Sequence, residues 1–235
     1  MSVWAARRFW TTASAIPVEG GFSVQLDARP VRTPLKMPLV LPTLALAKAV
    51  AAEWQAQETS VNPETMPYTR TANSAIDKVQ PQFAAVADML ADYGGSDLLC
   101  YRAEGPAALA ARQAQGWDPL LDWARDDLGA TLRQATGVMH VAQPEASLSA
   151  LRHHVHAMSP FQLAAFHDLV AISGSLVLAL AVARGRITAD EAWTLSRVDE
   201  DWQISLWGED EEAAEVTARK RDALLQADRF YTLCG

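Results

Sequence analysis

The first forty residues alternate between apolar and polar side chains, which is the periodicity of a half-buried β-strand. In the segment FSVQLDARPVRT, every second residue from Phe22 to Leu26 is apolar. Gly20 and Gly21 precede this segment and supply the chemistry of a turn. Prolines at positions 34, 38 and 42 then restrict the chain to edge strands or loops. The pattern predicts a small antiparallel sheet or an open barrel near the N-terminus.

Beyond this region the apolar positions recur at helical spacing. A first helix is predicted from Thr43 to about Gln57, and a second begins at Pro67, a residue type that suits the first helical position. Further helices are predicted over 81–93, 106–128, 146–157, 159–183, 188–206 and 209–228. Gly174 is expected to kink or split the 159–183 helix.

The order of these elements predicts two parts. Residues 1–78 form an α+β domain with a small antiparallel sheet plus helices, and residues 79–235 form a mainly α domain. Two short extended pieces, 98–102 and 138–142, are the only strand candidates in the second part. The boundary near residue 78 is placed to within about ten residues.

Charge is distributed unevenly along the 235 residues. The net charge is +2 over residues 1–80 and −10 over residues 81–235, which together give the −8 of the whole chain. A nucleic-acid partner requires a clustered basic face, and the acidic part has none. The acidic part suits either a basic protein surface or solubility alone.

The sequence contains few indications of the cellular compartment. Cys100 and Cys234 form no CxxC pair, which is consistent with free thiols in a reducing compartment. The longest apolar run covers 15 residues, 169–183, whereas a bilayer span needs about 20. Arg7 and Arg8 only loosely resemble a transit peptide. We therefore expect a cytoplasmic protein without membrane insertion.

Catalytic and metal motifs are not evident in the sequence. His153, His154 and His156 have no acid or cysteine at a recognised ligand spacing, so an exposed helix face explains them. The segment ISGSL lacks the GxSxG elbow of a serine nucleophile and lies in an apolar helix. We predict no catalytic residue, no metal and no cofactor.

One polar stripe leaves two interpretations open. Arg70, Asn73 and Asp77 lie at i, i+3 and i+7 of the second helix, where they could bind a small anionic group as an enzyme would. They could equally attach the helix to neighbouring backbone, because buried polar groups need partners. Trp54 ends the apolar stripe of the first helix and is either a core residue or a contact residue.

The segment VDEDWQISLWGEDEEA, residues 198–213, combines two tryptophans with seven carboxylates. On a helix over 188–206, Glu200, Gln203 and Trp207 would share one side with Trp193. Aromatic side chains beside acids are typical of a protein-binding surface. A buried aromatic helix followed by an acidic helix N-terminus explains the composition equally well.

Four segments of the chain match characteristic segments of a known family: FSVQLDARPVRTPLKMPLVLPT, AAEWQAQETSVNPETMPYTRTANSAIDKV, DLLCYRAEGPAALAARQAQGWDPLLDWA and LSRVDEDWQISLWGEDEEA. The resemblance is to the assembly chaperones that handle the alpha subunit of the F1 part of ATP synthase in mitochondria and alphaproteobacteria. It implies that the helical part is an orthogonal bundle. It also implies a chaperone, not an enzyme, that binds free alpha subunit, prevents its aggregation and delivers it to the alpha/beta hexamer.

The resemblance also places candidate sites. It assigns partner binding to five residues of the acidic segment: Asp199, Glu200, Asp201, Gln203 and Trp207. Trp54 and Arg70 match other family positions and have either a structural or a binding role. The protein is expected to be monomeric when free and cytoplasmic in bacteria, with eukaryotic relatives in the mitochondrial matrix. An assembly factor for another complex, or a small-molecule enzyme using Arg70, Asn73 and Asp77, remains the alternative.

Overall fold

The N-terminal sheet has three antiparallel strands. The computed structural model describes residues 7–208 and 210–235. Its strands β1 (Ala13–Val18), β2 (Gly21–Leu26) and β3 (Arg29–Pro30) pair in the order β1-β2-β3. Val24 and Leu26 of β2 are buried, as the alternation predicted. Gly21 has φ +153°, and a Cβ there would lie 2.3 Å from the Leu41 carbonyl oxygen, so this close approach requires glycine.

The remaining chain is mainly helical, which confirms the predicted fold class. The helices are α1 (Leu44–Gln55), α2 (Pro67–Ser74), α3 (Phe83–Ala91), α4 (Ala107–Leu128), α5 (Glu145–His156), α6 (Pro160–Ser173), α7 (Leu176–Ala183), α8 (Ala189–Ser196), α9 (Val198–Trp207) and α10 (Glu211–Leu233). A π-helical turn, Ala75–Val79, follows α2. Two short strands, β4 (Tyr101–Arg102) and β5 (Ala135–Thr136), pair in parallel.

Three details differ from, or sharpen, the sequence prediction. Gly174, with φ +67°, ends α6, and the Ser175 hydroxyl caps α7, so the predicted split occurs. The single helix predicted over 188–206 is wrong, because the chain breaks at Arg197 between α8 and α9. The strand predicted over 138–142 is also wrong, since β5 ends at Thr136.

The break at Arg197 has a tertiary cause. In a continuous helix the Leu195 carbonyl would accept the N–H four residues later. Here that carbonyl oxygen accepts the indole Nε1–H of Trp117 at 2.9 Å instead. A contact with a residue far away in sequence therefore ends α8, which the local pattern could not indicate.

The chain forms two compact units. The first comprises residues up to Phe83 together with 159–165 and 229–235, and the second comprises 84–158 and 166–228. The core of the first unit includes Trp10, Val24, Leu39, Leu46 and Phe230. The core of the second unit includes Leu99, Trp117, Leu151, Phe166 and Leu176. The sequence-based division at residue 78 assigned 159–165 and 229–235 to the helical part, and that boundary stays a prediction.

Candidate functional site

Helix α9 carries an exposed stripe of mixed apolar and polar side chains. Trp207 leaves 82% and Leu206 57% of their surface accessible. Glu200 and Gln203 are also exposed. These four residues lie at i, i+3, i+6 and i+7 and therefore face one side of the helix. We call this set, Glu200, Gln203, Leu206 and Trp207, the α9 stripe.

The indole of the α9 stripe is held in place by a neighbour on the same helix. The Nε1–H of Trp207 donates to Oε1 of Gln203 at 3.2 Å. The indole face therefore stays available while its polar edge is satisfied. Within the described residues, the Glu200 carboxylate has no hydrogen-bond or ion-pair partner. The stripe thus presents an apolar ring and an unpaired negative charge to the solvent.

The two aspartates beside Glu200 are engaged within the protein. Oδ1 of Asp199 accepts a hydrogen bond from Nε2 of Gln113 at 2.6 Å. Oδ1 of Asp201 lies 3.4 Å from Nε of Arg197, one helical turn earlier. Of the five residues predicted to bind a partner, the structure brings Glu200, Gln203 and Trp207 together on the exposed side. Asp199 and Asp201 point to internal partners. Trp193, predicted on the same side, belongs to α8.

Helix α4 fixes the junction of α8 and α9. Gln113 is 1% exposed and links Ala103 to Asp199, while Trp117 binds the Leu195 carbonyl. A Cβ at Gly116 would lie 2.7 Å from Cδ2 of Leu195, so α4 approaches this junction closely. The sequence pattern did not indicate Gln113, since 86 residues separate it from Asp199.

The acidic run after α9 has a local explanation. Oδ1 of Asp210 accepts from the Ala213 backbone N–H at 2.9 Å, which caps the start of α10. Glu211 and Glu212 occupy the first turn of α10, where carboxylates complement the helix dipole. Glu209, the first member of this run, lies outside the described residues. The helix-terminus interpretation therefore fits the run after Gly208, while the α9 stripe remains exposed.

Comparison with known proteins identifies the family. Residues 7–125, half of the chain, match the family model described as ATP12 chaperone protein. The chain belongs to the ATP12 chaperone family. This confirms the resemblance to assembly chaperones of ATP synthase that the sequence segments carried. The matched residues include most of α4 and end before α9.

Relatives cover nearly the whole chain. The chain is 25% identical to mitochondrial Atp12 of Schizosaccharomyces pombe, over 97% of this chain and 82% of that protein. The crystal structure of Paracoccus denitrificans Atp12 is 54% identical, with a TM-score of 0.96 over 99% of this chain and all of that one. A Paracoccus Atp12p mutant with lysine in place of an aspartate is 53% identical, with a TM-score of 0.96 over the full length of both chains.

Asp77, one member of the polar stripe predicted on the second helix, is engaged within the fold. Oδ1 of Asp77 accepts the Thr33 hydroxyl at 2.6 Å and Oδ2 accepts the Leu35 N–H at 3.1 Å. Asp77 also lies in the π-helical turn, so the i, i+7 spacing of a regular α-helix does not apply to it. Asn73 has its Oδ1 buried and without a partner among the described residues.

Arg70 and Trp54 have different surroundings. Arg70 is exposed on α2. Burial raises the pKa of Glu53 above its ordinary value, and the Arg70 charge opposes that rise. Trp54 is half-buried against the core of the first unit, with its ring centroid 5.3 Å from that of Trp10. The structure therefore places Trp54 in core packing and leaves Arg70 at the surface.

The histidines form surface contacts. His156 Nε2 lies 2.9 Å from the Asp88 carboxylate, and His154 Nδ1 lies 2.8 Å from Arg184. Across residues 7–208 and 210–235, no three His, Cys, Asp or Glu side chains lie close enough to hold a metal ion. None of the helices in the described part of the ATP12 chaperone is long and apolar enough to cross a membrane.

Proposed function

We propose that this ATP12 chaperone binds the free alpha subunit of F1 ATP synthase through the α9 stripe, prevents its aggregation and delivers it to the alpha/beta hexamer. The observation that carries the proposal is the exposed Trp207 indole on the same side of α9 as the exposed, unpaired Glu200 carboxylate. A large aromatic side chain in this environment is typical of a binding hot spot.

The physical requirements of assembly favour such a surface. An unassembled ring subunit exposes an interface that promotes aggregation until its neighbour arrives. The chaperone must cover that interface and still be displaced by the native neighbour. A small contact with one aromatic anchor and a selecting charge meets both requirements, with an affinity near micromolar, about −8 kcal/mol.

The protein's mode of action and its compartment belong to the same proposal. The protein is expected to act by binding and not by catalysis, and the engagement of both Asp77 oxygens by Thr33 and Leu35 favours a structural role for that residue. It works as a monomer when free, in the bacterial cytoplasm. Its acidic character, a net charge of −8, favours association with a basic client surface.

The decisive experiment is co-expression of the alpha subunit with wild-type or variant chaperone. Glu200→Lys reverses the exposed charge of the α9 stripe and should return alpha to the insoluble fraction. Its circular dichroism and melting temperature should match those of the wild type, because exposed substitutions change stability by only about 0.5 kcal/mol.

Asp127→Lys is the matched control. Asp127 is exposed in the last turn of α4, where a cation is favourable, and the charge change is the same. This variant should keep alpha soluble. Normal rescue by a folded Glu200→Lys protein would remove the α9 stripe from the proposal. Rescue of a different subunit, identified by mass spectrometry, would identify another client.

A further inference from the structure

Gln113 occupies a position between two groups with opposite hydrogen-bonding requirements. Its Oε1 accepts the Ala103 backbone N–H at 2.8 Å, and its Nε2 donates to Oδ1 of Asp199 at 2.6 Å. The backbone N–H needs an acceptor and the carboxylate needs a donor. These two partners therefore also fix which way the amide is oriented.

Glutamine is suited to this place by its chemistry. A carboxylate at position 113 could accept from Ala103 but would repel Asp199. An apolar side chain would leave both partners without a hydrogen bond in a site where Gln113 is 1% exposed. All three residues lie in the second unit, so the link is internal to that unit.

The start of helix α9 has no side-chain cap of its own. Arg197 at the N-cap position makes no side-chain capping hydrogen bond. The preceding junction is instead held by Trp117 at Leu195, and the first turn by Gln113 at Asp199. Asp199 directly precedes Glu200, so its anchor determines the direction in which the first residue of the α9 stripe projects.

We propose that Gln113 is a positioning residue for the α9 stripe, and that Asp199 acts through its hydrogen bond to Gln113 and not by touching the client. This inference rests on the proposed function of the stripe. It assigns the charge that the client meets to Glu200, and it gives Asp199 an orienting role inside the molecule.

A set of three variants tests the inference at pH 8. Asp199→Asn removes the charge but keeps an oxygen that accepts from Gln113. Gln113→Glu places two carboxylates in contact. The double variant reverses the bond, because the new amide at position 199 donates to the new carboxylate at position 113, which still accepts from Ala103.

Two readouts are needed. Affinity for the isolated alpha subunit should stay within about three-fold of wild type for Asp199→Asn, fall roughly 10- to 100-fold for Gln113→Glu, and recover in the double variant. Hydrogen exchange of the backbone amides over 198–207, measured without client, should accelerate in Gln113→Glu and return to the wild-type rate in the double variant.

Two results would overturn the positioning role of Gln113. If Asp199→Asn alone loses the client and the double variant does not recover it, Asp199 meets the client directly and the inference is wrong. Unchanged exchange over 198–207 in folded Gln113→Glu protein would also overturn it.

Gln113→Met removes the donor without adding a charge and provides the same exchange test if Gln113→Glu does not fold. Failure of wild-type protein to bind alpha would contradict the proposed function, while the exchange data would still decide the positioning role.

Discussion

At the scale of single residues, exposure and hydrogen bonding distinguish the side chains that we propose to face a partner from those that hold the fold. Trp207 satisfies its indole N–H through Gln203 and leaves 82% of its surface accessible. Asp77 is the opposite case, because both of its carboxylate oxygens accept hydrogen bonds from the turn at Thr33 and Leu35. The exposure and the hydrogen-bond partners of these two residues therefore point to different roles.

Replacement of Asp77 should therefore affect stability and not client binding. Asp77→Ala leaves the Thr33 hydroxyl and the Leu35 N–H without their acceptor, and should lower the free energy of unfolding by about 1–3 kcal/mol. Urea denaturation measures this change. Affinity for the alpha subunit should remain within about two-fold at a temperature where the variant is folded. A stable variant that loses the client would place Asp77 in the binding surface instead.

At the scale of elements, local pattern predicted most of the fold. The alternation from Phe22 to Leu26 gave the central strand, and Gly174 marked the division between α6 and α7. These features depend on neighbours in sequence. The break at Arg197 and the anchor at Gln113 depend instead on α4, since Trp117 binds the Leu195 carbonyl from 78 residues away. The sequence could therefore indicate the acidic tryptophan segment but not which of its carboxylates are exposed.

The start of α8 provides a pH-dependent test at this scale. Thr188 and Glu191 form a capping box in which each satisfies a backbone N–H of the other. The hydrogen bonds from the Thr188 backbone and hydroxyl hold the pKa of Glu191 below its ordinary value of 4.5. Because the folded-state pKa is lowered, this stabilisation is present above pH 4.5 and is lost as the pH falls through the folded-state value.

Thr188→Ala should lower the free energy of unfolding by about 1 kcal/mol at pH 7. The difference from wild type should shrink in acid, as Glu191 becomes protonated. Melting temperatures from pH 7 down to pH 3 measure this dependence. Glu191→Gln provides the control background, because it removes the titrating group. In that background, the effect of Thr188→Ala on the melting temperature should not change with pH. A difference that stays constant with pH would contradict the role of the ionised capping box.

At the scale of the whole molecule, the net charge and the exposed apolar residues fit the temporary partner that we propose. The chain carries a net charge of −8, and 22 of its 28 acidic side chains lie in residues 81–235. Electrostatic attraction between this negative charge and a basic surface accelerates their encounter, and it weakens as salt screens the charges. In the proposed complex, the apolar anchor at the end of α9 would supply contact energy over a small area, which would allow later displacement by a larger native interface.

Photocrosslinking from position 207 tests the central proposal most directly. Benzoylphenylalanine in place of Trp207 keeps an aromatic side chain there, and the same substitution at Phe9, an exposed aromatic residue of the first unit, is the control. With isolated alpha and beta subunits offered separately, we expect a crosslink from position 207 to alpha, none to beta, and none from position 9. A crosslink from position 207 to beta alone, or no crosslink to alpha under conditions where alpha is kept soluble, would contradict the proposal.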